Sequence, residues 1–281
     1  MSVRRLTLQQ IDAYNAFLRQ EERSPGTREK YWRDIKAFYL WVDGQNITKE
    51  TVIEWKEHLV NEGYAPVTIN SMLAALNGLF GFLEWGECRV KFLKVQRRMF
   101  REEKRELTRE EYNRLLEAAR NQGRERLALV METICTTGIR VSEVQYITVE
   151  AVRRGRAEIT LKGKIRVIFL PVKLCRKLAK YSKKQKIVSG EIFLTGNGKP
   201  LNRRQIWAEM KGVCKYADVT PSKVYPHNLR HLFATVFYKM YKDISRLADL
   251  LGHSSIETTR IYLTISSAEH ACHLERLGLV T

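Results

Sequence analysis

No stretch of the sequence approaches the ~20 consecutive apolar residues of a membrane span. The opening MSVRRLTLQQIDAY lacks the apolar core of a secretory signal. The five cysteines, Cys88, Cys135, Cys175, Cys214 and Cys272, are odd in number, scattered and free of any CxxC pair. That argues against a disulfide framework and against structural zinc. There is no internal repeat and no low-complexity tract, and charged residues, at 28%, form no long one-letter runs, so disorder is a poor reading. What remains is a soluble, non-secreted chain. Its 281 residues, 44% of them hydrophobic, can bury a core as one large or two small domains.

Acid is the scarce charge. Forty-nine Lys and Arg face 31 Asp and Glu, for a net charge of +18. The excess is concentrated: thirteen basic residues and one acid, Glu158, lie between Arg153 and Lys186. Such a block points to a polyanionic partner, and nucleic acid suits the chain better than a membrane surface.

Residues 1–90 read as four helices with short loops. Ile11, Tyr14, Phe17 and Leu18 mark the first, from Leu8 to about Arg23. Ser24-Pro25 starts a second, with a stripe of Tyr31, Ile35, Phe38 and Tyr39 up to Val42, and Asp43-Gly44 stops it. Thr48 caps a third helix ending at Glu62-Gly63, and Pro66 opens a fourth from about Val67 to Trp85. Residues 91–106 are mostly charged without periodicity and read as a basic linker. Thr108 with Glu111 has capping-box spacing and opens a second domain, 107–281. That domain begins with helices at 108–121 and about 124–136. Gly138 ends one helix and Ser142 is placed to cap the next. AEITL and IRVIFL then alternate as a β-hairpin turning at Lys162–Lys164. EIFLTGNGKP reads as a further short strand and turn. From Asn202 onward the pattern is helical, ending in a short helix near Ser267–Leu277.

Three segments carry candidate chemistry. In YPHNLRHLFATVFYKMY, Pro226 suits a first helical position, and Leu229, Phe233, Val236 and Met240 form the expected buried stripe. His227 and Arg230 fall off that stripe, three residues apart, beside a helix N-terminus that favours anions. In DISRLADLLGHSSIETTRIYLTI, Gly252 stops a helix, His253 sits in the turn, and Ser254 with Glu257 is spaced as a capping box. Ile256 and Leu263 share a face there and Tyr262 points elsewhere, with its hydroxyl expected to face solvent or a ligand. In CTTGIRVSEV, Arg140 projects from the junction between two helices, with Glu143 as an ordinary surface partner. Each of these residues alone is unremarkable.

Taken in order, TGIRVSE, a hairpin lysine, HNLRH, LGH and a tyrosine nine residues after that histidine resemble the tyrosine recombinase (phage integrase) family. The resemblance spans roughly residues 8–275. It implies a mainly α fold with a small β-sheet: an all-α, four-helix, SAM-like core-binding domain, then a mixed α/β catalytic domain. It implies site-specific cleavage and rejoining of DNA strands through a 3′-phosphotyrosine. Tyr262 would be the nucleophile. Arg140 and Arg230 would clamp the phosphate, His227 would exchange a proton with the nucleophile, and His253 would hydrogen-bond the phosphate. A hairpin lysine would protonate the leaving 5′-oxygen. The turn, LKGKIR, is shorter than the family's usual Gly-Lys-Gly segment, and Lys162, before Gly163, is preferred over Lys164. The chemistry suits these side chains: guanidinium forks match phosphate oxygens, and a phenol of pKa near ~10 needs cations and a proton acceptor beside it.

The resemblance also implies double-stranded DNA clamped between two domains, a homotetramer on two DNA sites, and a cytoplasmic, nucleoid-associated enzyme of bacterial or phage origin. Monomer or oligomer without DNA is left open, as is an accessory directionality factor. No metal or other cofactor is required. Arg203, Arg204 and Lys223 are candidates for phosphate contacts, and Arg33, Lys36, Thr68, Asn70 and Ser71 for groove contacts. The last segment would dock on a neighbouring protomer or pack on its own. The sequence begins almost at the expected core-binding domain, so the resemblance is to the members expected to lack an arm-binding domain, of the simple resolvase, invertase or small mobile-element kind. A type IB topoisomerase and a vestigial DNA-binding architectural protein are the rival readings.

Overall fold

The computed structural model describes residues 3–95, 106–161, 164–253, 255–260, 262 and 275–276, and only the backbone of Leu161, Lys164 and Ile165. The chain forms two compact units, Met1–Arg97 and Arg98–Thr281.

The first unit holds four helices, α1 (Leu8–Gln20), α2 (Pro25–Val42), α3 (Lys49–Asn61) and α4 (Pro66–Phe82). Their starts follow the sequence signals. Thr7, Ser24 and Thr48 side chains accept backbone N–H groups of the first turns, and Pro25 and Pro66 sit at first positions. Ile11, Phe38, Trp55, Leu73 and Phe80 anchor the core between them. The fourth helix ends at Phe82 rather than Trp85, and a 3₁₀ turn, Gly86–Cys88, follows. Beyond it two asparagines of α4 strap the chain down. Asn77 pairs through both amide atoms with the Val90 backbone (2.9 and 3.1 Å), and Asn70 does the same with Leu93 (2.9 and 2.8 Å). Residues 91–95 therefore continue the first unit, where a free linker was expected, and the rest of that segment, up to residue 105, lies outside the described residues.

The second unit is built round α6 (Glu125–Thr137), which is buried along almost its whole length. Against α6 lie α5 (Arg109–Asn121), α8 (Val172–Lys184), α9 (Arg203–Lys211) and α11 (Pro226–Tyr241). A short α7 (Val149–Arg154) leads into the antiparallel hairpin β1 (Arg156–Leu161) and β2 (Lys164–Phe169). Leu161 pairs with Lys164 at the end of the ladder, and Lys162 and Gly163 between them lie outside the described residues. Short α10 (Cys214–Ala217) precedes α11, and α12 (Ile244–Leu251) and α13 (Ile256–Arg260) follow it.

Several expectations need correcting. EIFLTGNGKP makes only isolated bridges, Thr148 to Glu191 and Leu194 to Pro200, with a turn at Thr195–Lys199. Ser142 does not cap a helix: a 3₁₀ stretch, Val141–Tyr146, begins one residue earlier with Arg140 at its cap. On α11 the stripe fails past Phe233, because Val236 and Met240 are exposed. They edge an open apolar groove with Tyr112, Leu232 and Phe237. The helix lies between α6 and α12, so its first turns are buried on both sides and Arg230 is inside. Cys88, Cys135, Cys175 and Cys214 are free thiols, while Cys272 and the tail helix lie outside the described residues. Among the described residues no helix is long and apolar enough to cross a membrane, and no group of three metal-ligating side chains forms.

Candidate active site

The N-terminus of α11 and the loop after α6 line a cleft of about 650 Å³. Arg140, Arg203, Arg204, Trp207, His227 and Arg230 bound it. Four of the six are arginines, and a helix N-terminus adds its partial positive charge. The cleft is thus a site for an anion.

Two glycines make the backbone that carries this site. Gly138 ends α6 with φ +66° and Gly252 ends α12 with φ +62°, the left-handed conformation that glycine adopts without strain. Both are also closely approached. A Cβ on Gly138 would meet Phe233 at 2.5 Å, and one on Gly252 would meet the Arg166 side chain at 2.6 Å. Arg140 lies two residues past the first glycine and His253 directly after the second.

Helix α12 ends in three carbonyls with no intrahelical partner of their own, and each accepts from a different arginine. Leu250 O accepts from Arg166 Nη2, Leu251 O from Arg230 Nη2 at 2.7 Å, and Gly252 O from Arg140 Nη2 at 3.3 Å. A helix C-terminus carries partial negative charge, so it gathers cations. Arg230 also donates from Nη1 to Gly138 O at 2.7 Å, and its Nη2 lies 2.9 Å from His253 Nε2. His253 Nδ1 is 2.8 Å from the Thr259 hydroxyl, itself fully buried. Burial first, then Arg230, Arg140, Arg166 and His227, push the His253 pKa down to about 4. The ring is neutral at pH 7. Because Nε2 faces a guanidinium donor, the network assigns its proton to Nδ1, which donates to Thr259. His227 opens on the cleft, and partial desolvation with Arg230 and Arg140 lowers its pKa too.

Glu143 ties the second layer together. It is 1% exposed, and its carboxylate accepts the Arg140 backbone N–H (2.7 Å), Arg140 Nη1 (2.9 Å) and Arg166 Nη1 (3.3 Å). The Arg140–Glu143 pair was expected at the surface. In fact the carboxylate is buried and only the arginine, with a side chain 42% exposed, reaches solvent.

Arg230, off the apolar stripe of its helix, is nonetheless only 2% exposed and is the largest fully buried side chain among the described residues. One further expectation is overturned. Tyr262 does not face solvent: it is 3% exposed and packs with Ala234, Leu247 and Leu251. Its hydroxyl hydrogen-bonds Arg230, holding that guanidinium's pKa up while burial, the larger effect, lowers it. Its ring stands edge-on to His231 (4.9 Å between centroids) and stacks on His253 (6.0 Å). The structure thus brings Arg140, His227, Arg230, His253 and Tyr262 together. Ser254 lies outside the described residues, and the Ser255 hydroxyl accepts the Glu257 N–H there.

Away from this centre, Arg203 and Arg204 are exposed on the first turn of α9. Lys223, by contrast, is committed to Glu111 at 2.7 Å. In the first unit Arg33 is exposed on α2, where it pairs with Asp34, and Lys36 lies over the Trp32 ring. Thr68 is exposed, Ser71 half-buried, and the Asn70 amide is spent on the Leu93 backbone. Part of the basic block is neutralised internally: Lys177 pairs with Glu132, Lys184 with Glu125 and Arg166 with Glu143. Glu143 as a buried carboxylate, Arg166, Thr259 and His231 are the site residues that sequence reasoning missed. The signal for Arg166 was the period of two on β2, which puts it on the same face as buried Ile168.

Known proteins resemble this chain along most of its length. Residues 105–269 match the phage integrase family and residues 11–87 its N-terminal SAM-like domain. Tyrosine recombinase XerA of Thermococcus kodakarensis is 29% identical over 269 residues, covering 92% of each chain. Tyrosine recombinase XerD of Halalkalibacterium halodurans is 28% identical over 272 residues, covering 86% of this chain and 88% of its own. Among solved structures, a lambda integrase tetramer bound to a Holliday junction shares the fold with a TM-score of 0.73 at 19% identity, over 93% of this chain and 78% of that one. Fold and site together define a DNA strand-cleaving and rejoining enzyme of the tyrosine type. The chain belongs to the phage integrase family.

Proposed function

We propose that Tyr262 attacks the scissile phosphate of duplex DNA, held by Arg140 and Arg230, in site-specific strand exchange. The convergence of Arg230, His253 and Tyr262 at one end of α12, with Arg140 on the adjoining carbonyl, is the observation that carries this reading. The Tyr262 Oη–P bond forms as the P–O5′ bond breaks. The phenol proton passes to His227, which its lowered pKa keeps neutral and able to accept it. His253 steadies a phosphate oxygen from its place between Arg230 and Thr259. The departing 5′-oxygen takes a proton from a hairpin lysine, Lys162 ahead of Lys164. The aryl phosphate ester keeps the bond energy, so the 5′-hydroxyl of a second strand reverses the attack. Removing one preorganised phosphate donor costs on the order of 10²–10³ in rate.

Before cleavage Tyr262 must leave its packed position, and Arg230 must exchange protein carbonyls for phosphate oxygens. Arg203 and Arg204, exposed at the cleft rim, and Arg33, Lys36, Thr68 and Ser71 on the first unit are the proposed DNA contacts. Lys223 and Asn70 drop behind them because their polar atoms are occupied. The working assembly is a homotetramer on two DNA sites, in the cytoplasm. Residues 1–90, with the strapped segment to residue 95, serve as a core-binding domain and 107–281 as the catalytic one. A nicked suicide duplex carrying the recombination site tests the assignment. Wild type should trap a covalent adduct mapping to Tyr262, and Tyr262→Phe should bind the duplex and trap none. An adduct on any other side chain overturns it.

A further inference from the structure

The hairpin that carries the turn lysine has only two strands, and an isolated pair of strands is marginally stable in water. It holds to the unit through its inward positions. Ala157 and Ile168 pair across the ladder and are buried, Ile159 opposite Arg166 is the next inward pair, and beyond it lie the Thr160–Ile165 and Leu161–Lys164 pairs. Val167 and Phe169 face outward. Arg166 is therefore the described β2 anchor nearest the turn. Its side chain is 14% exposed. Nη1 donates to both oxygens of Glu143 (3.4 and 3.3 Å), and Nη2 donates to Leu250 O. Its aliphatic stem packs over Gly252, where no Cβ intervenes.

Three elements must bring groups to one phosphate: the loop after α6 brings Arg140, the end of α12 brings His253, and the hairpin brings its lysine. Among the described side chains of the hairpin, Arg166 alone bonds to both of the other two stations. We propose that Arg166 is a positioning residue for strand cleavage, one that locks the lysine-bearing turn to the Arg140–Glu143 pair and to the end of α12. This rests on the reading of a hairpin lysine as the acid for the leaving 5′-oxygen. Burial lowers the Arg166 pKa to about 10 against the pull of Glu143, so the strut stays charged at neutral pH.

The test is single-turnover cleavage by the full chain at saturating enzyme. Two nicked duplexes are compared, one with the ordinary phosphate and one with sulfur at the bridging 5′ position, whose thiolate leaves without an acid. Arg166→Met should slow cleavage of the ordinary duplex by about 10²-fold, the scale of a 1 Å misplacement, and most of that loss should vanish on the sulfur duplex. Arg166→Lys, a point charge that reaches one partner but not both, should fall between. Melting curves and duplex binding report whether each variant folds, and Arg166→Lys carries the test if Arg166→Met does not. Equal slowing on both duplexes overturns the proposal, placing Arg166 with phosphate binding or with the fold at large. Failure of both variants to fold overturns it as well. Lys162→Ala and Lys164→Ala run alongside: if sulfur rescues neither, the leaving-group reading falls first, visibly in the lysine variants, and the proposal falls with it.

Discussion

Glu143→Gln should cripple this protein out of proportion to a change of one atom. The carboxylate receives three donors: the Arg140 backbone N–H, Arg140 Nη1 and Arg166 Nη1. An amide of the same shape offers one oxygen and one NH₂, so at least one donor meets a donor, and the countercharge of buried Arg166 is lost. Breaking a buried pair by removing one partner costs about 3–5 kcal/mol. Arg140 is 42% exposed and water screens its share, so about 3 kcal/mol is expected. In a unit of this size each kcal/mol moves the melting temperature by about 2–4 °C. The second unit should melt about 6–12 °C lower, followed by differential scanning calorimetry on the full chain. Cleavage under saturating enzyme should slow by about 10²-fold as Arg140 loses its register. Glu143→Asp, which keeps the charge on a shorter stem, should lie between. A Glu143→Gln protein that melts within about 2 °C of wild type and cleaves at the wild-type rate would show that the three contacts hold nothing in place.

Two further outcomes follow from the same electrostatics. His253 is held at about 4 against 6.5 in the unfolded chain, and His227 is lowered too. Between those values the unfolded chain binds protons that the folded one refuses, so the stability from neutral His253 is lost as pH falls from 6.5 through 4. The melting temperature should drop between pH 7 and pH 5, and drop less in His253→Gln; a flat wild-type profile contradicts this. Replacing Arg203 and Arg204 together with alanine should reduce the slope of log binding constant against log salt by about 0.9 for each phosphate left without its cation. An unchanged slope means that neither arginine touches the DNA backbone.

The first unit was almost wholly legible. Ser24, Thr48, Pro25 and Pro66 act through neighbours a few residues away, so helix starts are written locally. The proposed set, Arg140, His227, Arg230, His253 and Tyr262, was legible only as a pattern of spacings, and its surroundings were not. Arg230 lies off the apolar stripe of its own helix, yet α12 and the loop after α6 cover that side, and its partners are Gly138 and Leu251, 92 and 21 residues away. Tyr262 is buried for the same reason, by Ala234 of α11 and by Leu247 and Leu251 of α12. Periodicity along one element reports which face is apolar. It does not report that a second element covers the polar face with carbonyls aimed at a guanidinium. Asn70 shows the reverse error: on a helix surface it resembled a groove contact, and the chain it straps lies 23 residues on.

The acceptors at the end of α12 are main-chain atoms, and no codon spells them. Leu250 can drift to other residues that keep the turn intact, and Leu251 to others that fill the same buried space beside Tyr262, while the three guanidinium groups stay where they are. An insertion or a proline that shifts this helix end by a single residue would unseat all three together. Evolution at this corner is therefore tolerant of letters and intolerant of length.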